Sequence, residues 1–311
     1  MASDNISLYY HSKKEEGTII ESGWRTVTIR SGNRISLNGG MLIVSEENNV
    51  LAEVPLRQIG TCVFDSTRIS VTVPLLRSLA EAGTAVIFCD EKHNPVCELL
   101  GYTVHTAAAG RILDQAAWTQ EGRDALWRQI IRNKIGMQIS LLRMENRHVP
   151  RALSDCGGDF PEGETDSREA LAARLYFRAL FGFGFLRHSS DNDNAMLNYG
   201  YAVIRSTVNQ AIVSCGYHPA LGVHHHSREN PFNLSCDLME PFRPFVDRIV
   251  CEQNASGMEQ NERNALLSVL DAQCRYRDTV STVRNVIGRY VSDAAAAITD
   301  RNPELPEVSF V

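Results

Sequence analysis

Three consecutive imidazoles, His224, His225 and His226, follow a Gly222-Val223 step and precede a segment reading Cys236-Asp237-Leu238-Met239-Glu240-Pro241-Phe242-Arg243-Pro244. Imidazole nitrogen together with carboxylate oxygen is a ligand set for a divalent cation. Mg²⁺ and Mn²⁺ both suit it, with Mg²⁺ favouring more oxygen and retained water. Asp237 and Glu240 project from one face if their segment is helical, although Pro241 and Pro244 stop or kink such a helix. The same residues equally describe a solvated histidine loop next to an ordinary polar helix surface. Glu169 is a third candidate, in Asp166-Ser167-Arg168-Glu169 ahead of an Ala- and aromatic-rich helical run. Asp166 as N-cap with Glu169 at N3 is an alternative use of that pair, and a cap competes with a cation for the same carboxylate.

Two further patterns bear on ligands. Asn192, Asn194 and Asn198 lie in a helical segment with Leu197-Asn198-Tyr199-Gly200-Tyr201, which continues through Ile204, Val208 and Ile212 to Gly216. Its amides either touch nucleic acid or orient neighbours, and its aromatics pack. Arg128, Arg132, Arg143 and Arg147 fall within an arc of about 100° on one helix. Such a ridge is either a solvated face or a phosphate-tracking one. The chain carries a net charge of −6, which argues against a generic nucleic-acid binder. Of its 31 basic residues 27 are Arg, whose fork grips phosphate in a way that Lys does not, and genome composition produces the same bias.

These residues need elements to position them. The first hundred residues are β-rich, with strands expected at 26–29, 41–44, 69–73 and 85–88, and turns at Gly39-Gly40 and Glu47-Asn48-Asn49. One helix interrupts them, opened by Pro74 and stopped by Gly83. From Arg111 onward the helical period dominates. It runs through Trp127, Ile131, Ile135, Ile139 and Leu142, and again through Val280, Val283, Ile287, Val291, Ala294 and Ile298. The expected fold class is α+β, a small N-terminal β-rich domain over 1–105 followed by a larger all-α catalytic domain over 106–311. The boundary falls within 102–110, residues 152–166 read as a Gly- and acid-rich loop, and 302–311 as a loosely ordered tail. Eight cysteines, at 62, 89, 97, 156, 215, 236, 251 and 274, form no CxxC pair, so neither a zinc ribbon nor a disulfide framework is expected. The polar start MASDNISLYY and the lack of a long apolar run lead to the expectation of a soluble cytoplasmic protein with no membrane association.

At its motifs the chain resembles the CRISPR-associated adaptation integrase family, the first of the Cas proteins, in its type II form. Glu169 with Ala172-Ala173 and Tyr176-Phe177 resembles the family's Glu-Gly-x-Ala-Ala helix, with Ala170 in place of the usual Gly. Leu197-Asn198-Tyr199-Gly200-Tyr201 resembles its Leu-Asn-Tyr-Gly-Tyr segment. Gly222-Val223-His224-His225 and the run from Asp237 to Pro244 resemble its His and carboxylate motifs. The resemblance implies one divalent metal, Mg²⁺ or Mn²⁺, held by Glu169, His225 and Glu240, which would also be the catalytic residues. His225 is the second His of the family pattern, His226 is an extra imidazole, and Asp237 is a neighbour of the metal or its water. It further implies DNA cleavage, and insertion of short duplex fragments into a CRISPR array by attack of a fragment 3′-hydroxyl. The implied assembly is a homodimer bridged by a dimer of a small second Cas protein. Two other readings compete with a nuclease-integrase: a DNA-binding scaffold without chemistry, and a metal-dependent hydrolase of a small substrate. A metal titration with DNA cleavage as readout separates the three.

Overall fold

A computed structural model of the chain describes residues 23–47, 49–101, 105–158, 163–253, 257–299 and 304–311. The N-terminal decapeptide, Asn48 of the expected turn, residues 102–104 of the expected boundary, 159–162 of the expected loop and 302–303 of the tail lie outside these. Two compact units are present. One holds the chain up to Ala108 with Asn209–Gly216, the other Ala109–Val208 with Tyr217–Val311.

The first unit contains β1 (Arg25–Ile29), β2 (Arg34–Asn38), β3 (Met41–Glu46), β4 (Asn49–Pro55), β5 (Ile59–Phe64), β6 (Ser70–Val71), α1 (Val73–Glu81), β7 (Ala85–Cys89) and β8 (Pro95–Leu99). One sheet has the order β1-β5-β7-β8, in which β1, β5 and β7 are parallel. The runs IGTCVF and AVIFC are apolar almost throughout, as strands covered on both faces require. The second sheet has the order β4-β3-β2-β6, and Gly39 and Gly40, both at positive φ, make its β2–β3 turn. Val27, Ile35, Leu42, Phe64, Leu75 and Leu79 belong to one buried core.

The second unit contains α2 (Ala108–Ala116), α3 (Gln120–Met144), α4 (Arg151–Cys156), α5 (Thr165–Phe181), α6 (Asn192–Ser214), α7 (Asn233–Leu238), α8 (Arg243–Gln253), α9 (Gln260–Leu267) and α10 (Val283–Thr299). The last residues of α6 count with the first unit. The α+β architecture is the expected one, with β structure first and helices after. The helical part is not wholly α, however. β9 (Gln273–Tyr276), β10 (Thr279–Thr282) and β11 (Val308–Phe310) form a sheet in the order β10-β9-β11. Val280 therefore sits in a strand, and the helical period begins only at Val283. Residues 308–310 of the expected loose tail pair with β9, and the Asn133 side chain of α3 bonds both the N–H and the C=O of Val308, at 3.0 and 2.9 Å. Within the expected loop, residues 151–156 are helical.

α3 is the axis of this unit. Ile130, Ile131, Ile135, Met137, Leu141 and Leu142 are buried, and so are the polar Asn133, Lys134 and Gln138. A polar side chain on a helix buried on several faces needs a partner inside the protein, as Asn133 and Lys134 have, and this is how α3 comes to serve a site. No helix among the described residues is long and apolar enough to cross a membrane.

Candidate metal centre

Glu169 and Glu240 are brought together by a residue the motifs did not mark. Lys134 extends its ammonium between them, with Nζ 2.7 Å from Glu169 Oε1 and 2.6 Å from Glu240 Oε2. Glu169 stands in the second turn of α5, whose N-cap is Glu164 and carries no side-chain cap bond. The capping role for Glu169 is therefore not the one the structure uses. Glu240 opens a 3₁₀ turn, Glu240–Phe242, between α7 and α8. Pro241 fits the first turn, where its missing N–H costs nothing, and Pro244 does the same for α8. Arg243 closes on the other oxygen, with Nε 3.0 Å from Glu240 Oε1. Burial alone would push the Glu240 carboxyl up, but Arg243 and Lys134 outweigh it and hold it below the usual range. Burial likewise disfavours the Lys134 charge, and Glu240 and Glu169 overcome that and raise its pKa. The contact of Glu240 Oε2 with Lys134 lacks hydrogen-bond alignment, so this buried oxygen keeps acceptor capacity.

His225 lies on a loop held by Asp237. The Asp237 carboxylate is fully buried and accepts from the backbone N–H of Val223, His224 and His225 at 2.7, 2.9 and 3.2 Å, and its Oδ1 is 2.5 Å from His225 Nδ1. That set of bonds turns Nε2 of His225 outward, the arrangement in which a carboxylate fixes the tautomer of a ligand histidine. The Asp237 hydrogen bond also raises the His225 pKa, against the effect of burial. Gly222 is required for this loop, since a Cβ there would lie 2.2 Å from the His225 carbonyl oxygen and 2.9 Å from Asp237 Oδ2. His224 is engaged elsewhere. Its ring stacks on Trp127 at 4.3 Å, and Asp166 receives the Trp127 Nε1–H at 3.3 Å with His224 Nε2 at 3.4 Å. His226 is exposed.

Glu169, His225, Glu240 and Lys134 all line one cleft of about 530 Å³. Among the described residues no group of three or more His, Cys, Asp or Glu stands as a ready-made cage for a cation. The donor set nevertheless fits one chemically. Two carboxylates already converge on a positive charge, one of their oxygens has acceptor capacity left, and a neighbouring imidazole has its Nδ1 taken and its Nε2 open.

Behind the carboxylates lies a polar floor. The carboxylate of Asp247, on α8, is buried and accepts from the hydroxyls of Tyr176, at 2.7 Å, and Tyr201. Burial pushes its pKa up to about 6, with the two phenols and Arg243 pulling the other way. Gly200 lets α6 approach, since a Cβ there would lie 2.4 Å from Val246. A carboxyl raised above its unfolded value near 3.8 stabilises the fold fully below that value, and the contribution disappears as pH rises through about 6. Asp247→Asn should therefore flatten the fall in stability between pH 4 and 6, by about 3 kcal/mol relative to the parent. Denaturant unfolding at a series of pH values reads this, and parallel parent and variant curves would refute it.

Asp237, paired with Glu240 by spacing, diverges from it because α7 ends at Leu238 and the 3₁₀ turn redirects the chain. It is an orienting group for the His loop and does not line the cleft. Of the expected Arg ridge, Arg128, Arg132 and Arg143 lie on α3, while Arg147 follows its end. Arg132 faces Glu307 at 3.8 Å. Lys134 did leave a trace in the sequence. It is the sole lysine after Lys92, set inside an apolar stripe of a chain that otherwise uses Arg.

The family described as CRISPR associated protein Cas1 matches residues 27–265. A CRISPR-associated endonuclease Cas1 of Neisseria meningitidis serogroup C (strain 8013) is 33% identical over 294 residues, covering 92% of this chain and 96% of its own. Among solved structures, a casposase bound to integration product aligns with a TM-score of 0.66 at 18% identity, over 90% of this chain and 91% of that one. A Cas6-RT-Cas1–Cas2 complex aligns with a TM-score of 0.69 at 16% identity, over 94% of this chain and 37% of that one. At these identities the two structures establish a shared fold.

Proposed function

This chain belongs to the CRISPR-associated Cas1 family, and from that premise we propose that it is a DNA endonuclease and integrase of CRISPR adaptation whose reacting centre is Glu169, His225 and Glu240. The observation that carries the reading is the convergence of Glu169 and Glu240 on one positive charge in a cleft that His225 also lines. These three residues would hold a divalent cation, Mg²⁺ or Mn²⁺, which would supply Lewis acidity at the scissile phosphate and offset developing charge. Glu169 and Glu240 give it carboxylate oxygen. His225 offers Nε2 because Asp237 occupies Nδ1. Trp127 and Asp166 hold the adjoining imidazole out of the way.

Among the described residues that line the cleft, no serine or tyrosine is poised as a nucleophile. In the cleft, Ser189 is committed to its own turn through Leu186 and Asp191. Burial and Asp247 push the Tyr201 phenol well above its usual pKa, which keeps it protonated. The attacking group then belongs to the DNA or to water. A fragment 3′-hydroxyl attacks an array phosphodiester, a new ester forms, and the displaced 3′-oxygen of the array leaves. Two such joinings on opposite strands need two centres, so the working form is an oligomer. We assign the dimer contact to the β-rich domain, residues 1–105, the chemistry to 106–311, and the bridging role to a dimer of the small second Cas protein. The Cas1–Cas2 complex among the structural relatives is consistent with that partner.

The test uses a labelled duplex fragment, an array-bearing supercoiled plasmid, divalent metal and the small Cas partner. Fragments with free 3′-hydroxyls should join. The same fragment ending in 3′-dideoxy or 3′-phosphate should not, with binding unchanged because its phosphate contacts remain. Joining by the blocked fragment would point to a covalent protein–DNA intermediate and overturn the mechanism. Cleavage without joining would leave an endonuclease alone.

A further inference from the structure

The wall of the cleft beyond Glu240 carries a guanidinium with an unusual set of partners. Arg187, in the turn between α5 and α6, donates from its two terminal nitrogens to Asn194 Oδ1 at 2.9 Å and Asn198 Oδ1 at 2.8 Å. Its Cζ lies 5.2 Å from the centre of the Tyr201 ring. Asn194, Asn198 and Tyr201 recur along one face of α6. Asn194 also donates to Leu186 and Ser189 at 2.8 and 3.0 Å, which fixes the turn that bears Arg187. Both acceptors are neutral amides. Among the described residues no carboxylate stands within ion-pair distance of Arg187, whereas Arg243, over the same ring at 4.6 Å, is paired with Glu240. Asp191 and the buried Asp247 both feel the Arg187 charge, but neither forms an ion pair with it: Asp247 accepts from the two tyrosine hydroxyls, and Asp191 accepts from Ser189 and Asn194.

A guanidinium held by amides and an aromatic face is oriented without being neutralised. It half-faces a polar cleft, and Tyr201 and Arg243 link it to Glu240. We propose that Arg187 is the phosphate grip of this centre. It binds a phosphodiester next to the scissile one on the same DNA strand, with Asn194 and Asn198 as its positioning residues. The inference rests on the endonuclease reading for the identity of the anion. It gives Asn194 and Asn198 the orienting role, in place of direct contact with DNA.

The experiment measures equilibrium binding of a short duplex across a salt series, for the parent, Arg187→Gln, Arg187→Lys and Asn198→Asp. Arg187→Gln should weaken binding roughly tenfold and reduce the slope of log K against log salt by about one. Asn198→Asp leaves the guanidinium in place but gives it a carboxylate partner, so it should lose the same slope. Arg187→Lys keeps the charge and should keep the slope. A neutral methylphosphonate walked along the cleaved strand should cost the parent roughly tenfold at one position beside the scissile bond. That position should cost Arg187→Gln nothing further. Unchanged slopes in both Arg187→Gln and Asn198→Asp, or methylphosphonate penalties that add in full to the Arg187→Gln loss, would overturn the assignment. The nuclease reading fails separately. A parent that shows the slope and methylphosphonate pattern but never cuts DNA would keep the grip and lose the enzyme, and a parent that binds no DNA would lose both.

Discussion

Glu240→Gln is expected to lower DNA cleavage by about 10³-fold or more while DNA binding persists. Glutamine preserves the shape of the side chain in a site where the residue is 4% exposed, but it breaks the ion pairs to Lys134 and Arg243, so thermal unfolding run alongside shows whether the variant is folded at the assay temperature. What it removes is the negative charge that Lys134 and Arg243 hold below the usual carboxylate range. A divalent cation bound there would lose an anionic ligand. Initial rates on duplex DNA with Mg²⁺ and with Mn²⁺ measure the effect. A variant within tenfold of the parent would remove Glu240 from the centre. Glu169→Gln should behave alike. Parent-like cutting by Glu169→Ala would reduce Glu169 to the polar surface of α5.

The second large effect is on stability. Lys134→Met should cost about 3–5 kcal/mol in protein without added metal, because two carboxylates that share one ammonium are left facing each other, one of them buried. For a unit of this size that is a fall in melting temperature on the order of 10 °C. Added Mg²⁺ or Mn²⁺ should raise the melting temperature of the variant more than that of the parent, since the cation supplies the missing charge where no ammonium competes for it. Thermal unfolding with and without metal gives both numbers. Equal melting temperatures for parent and variant would mean that the ion pairs contribute nothing, and equal metal shifts would separate the cation from the Lys134 position.

The difference between Glu240 and Lys134 marks how far the sequence could be read. The carboxylates and His225 could be singled out only because their motifs resemble those of a known family; by spacing alone a capped helix and a solvated histidine loop described them equally well. Lys134 sits in an apolar stripe, where a lysine usually runs its stem along the surface to reach water. Only the fold reveals that two acids from other elements meet its ammonium. Asp237 misleads for the opposite reason. A helical reading pairs it with Glu240, but Pro241 and the 3₁₀ turn send the two carboxylates to different work. The three-stranded sheet of the helical unit was hidden because its pairing is non-local. β11 has three residues and no alternation long enough to register, and its partner strand lies before α10. Val280 continues the spacing of α10 by coincidence and belongs to the strand before it. The β-rich beginning, the helix between Pro74 and Gly83 and the long stripe of α3 were legible, because local periodicity and turn chemistry specify them directly.

The clamp between Asn133 and Val308 makes α3 a beam loaded at adjacent residues. Asn133 carries β11 through both hydrogen bonds of its amide, and Lys134 carries the two acids. Residues 308–310 and the two acids Glu169 and Glu240 are thus held by side chains one peptide unit apart on α3. A purification handle, a fluorescent fusion or a surface tether attached immediately after β11 is therefore expected to disturb the neighbouring contacts of Lys134 with Glu169 and Glu240.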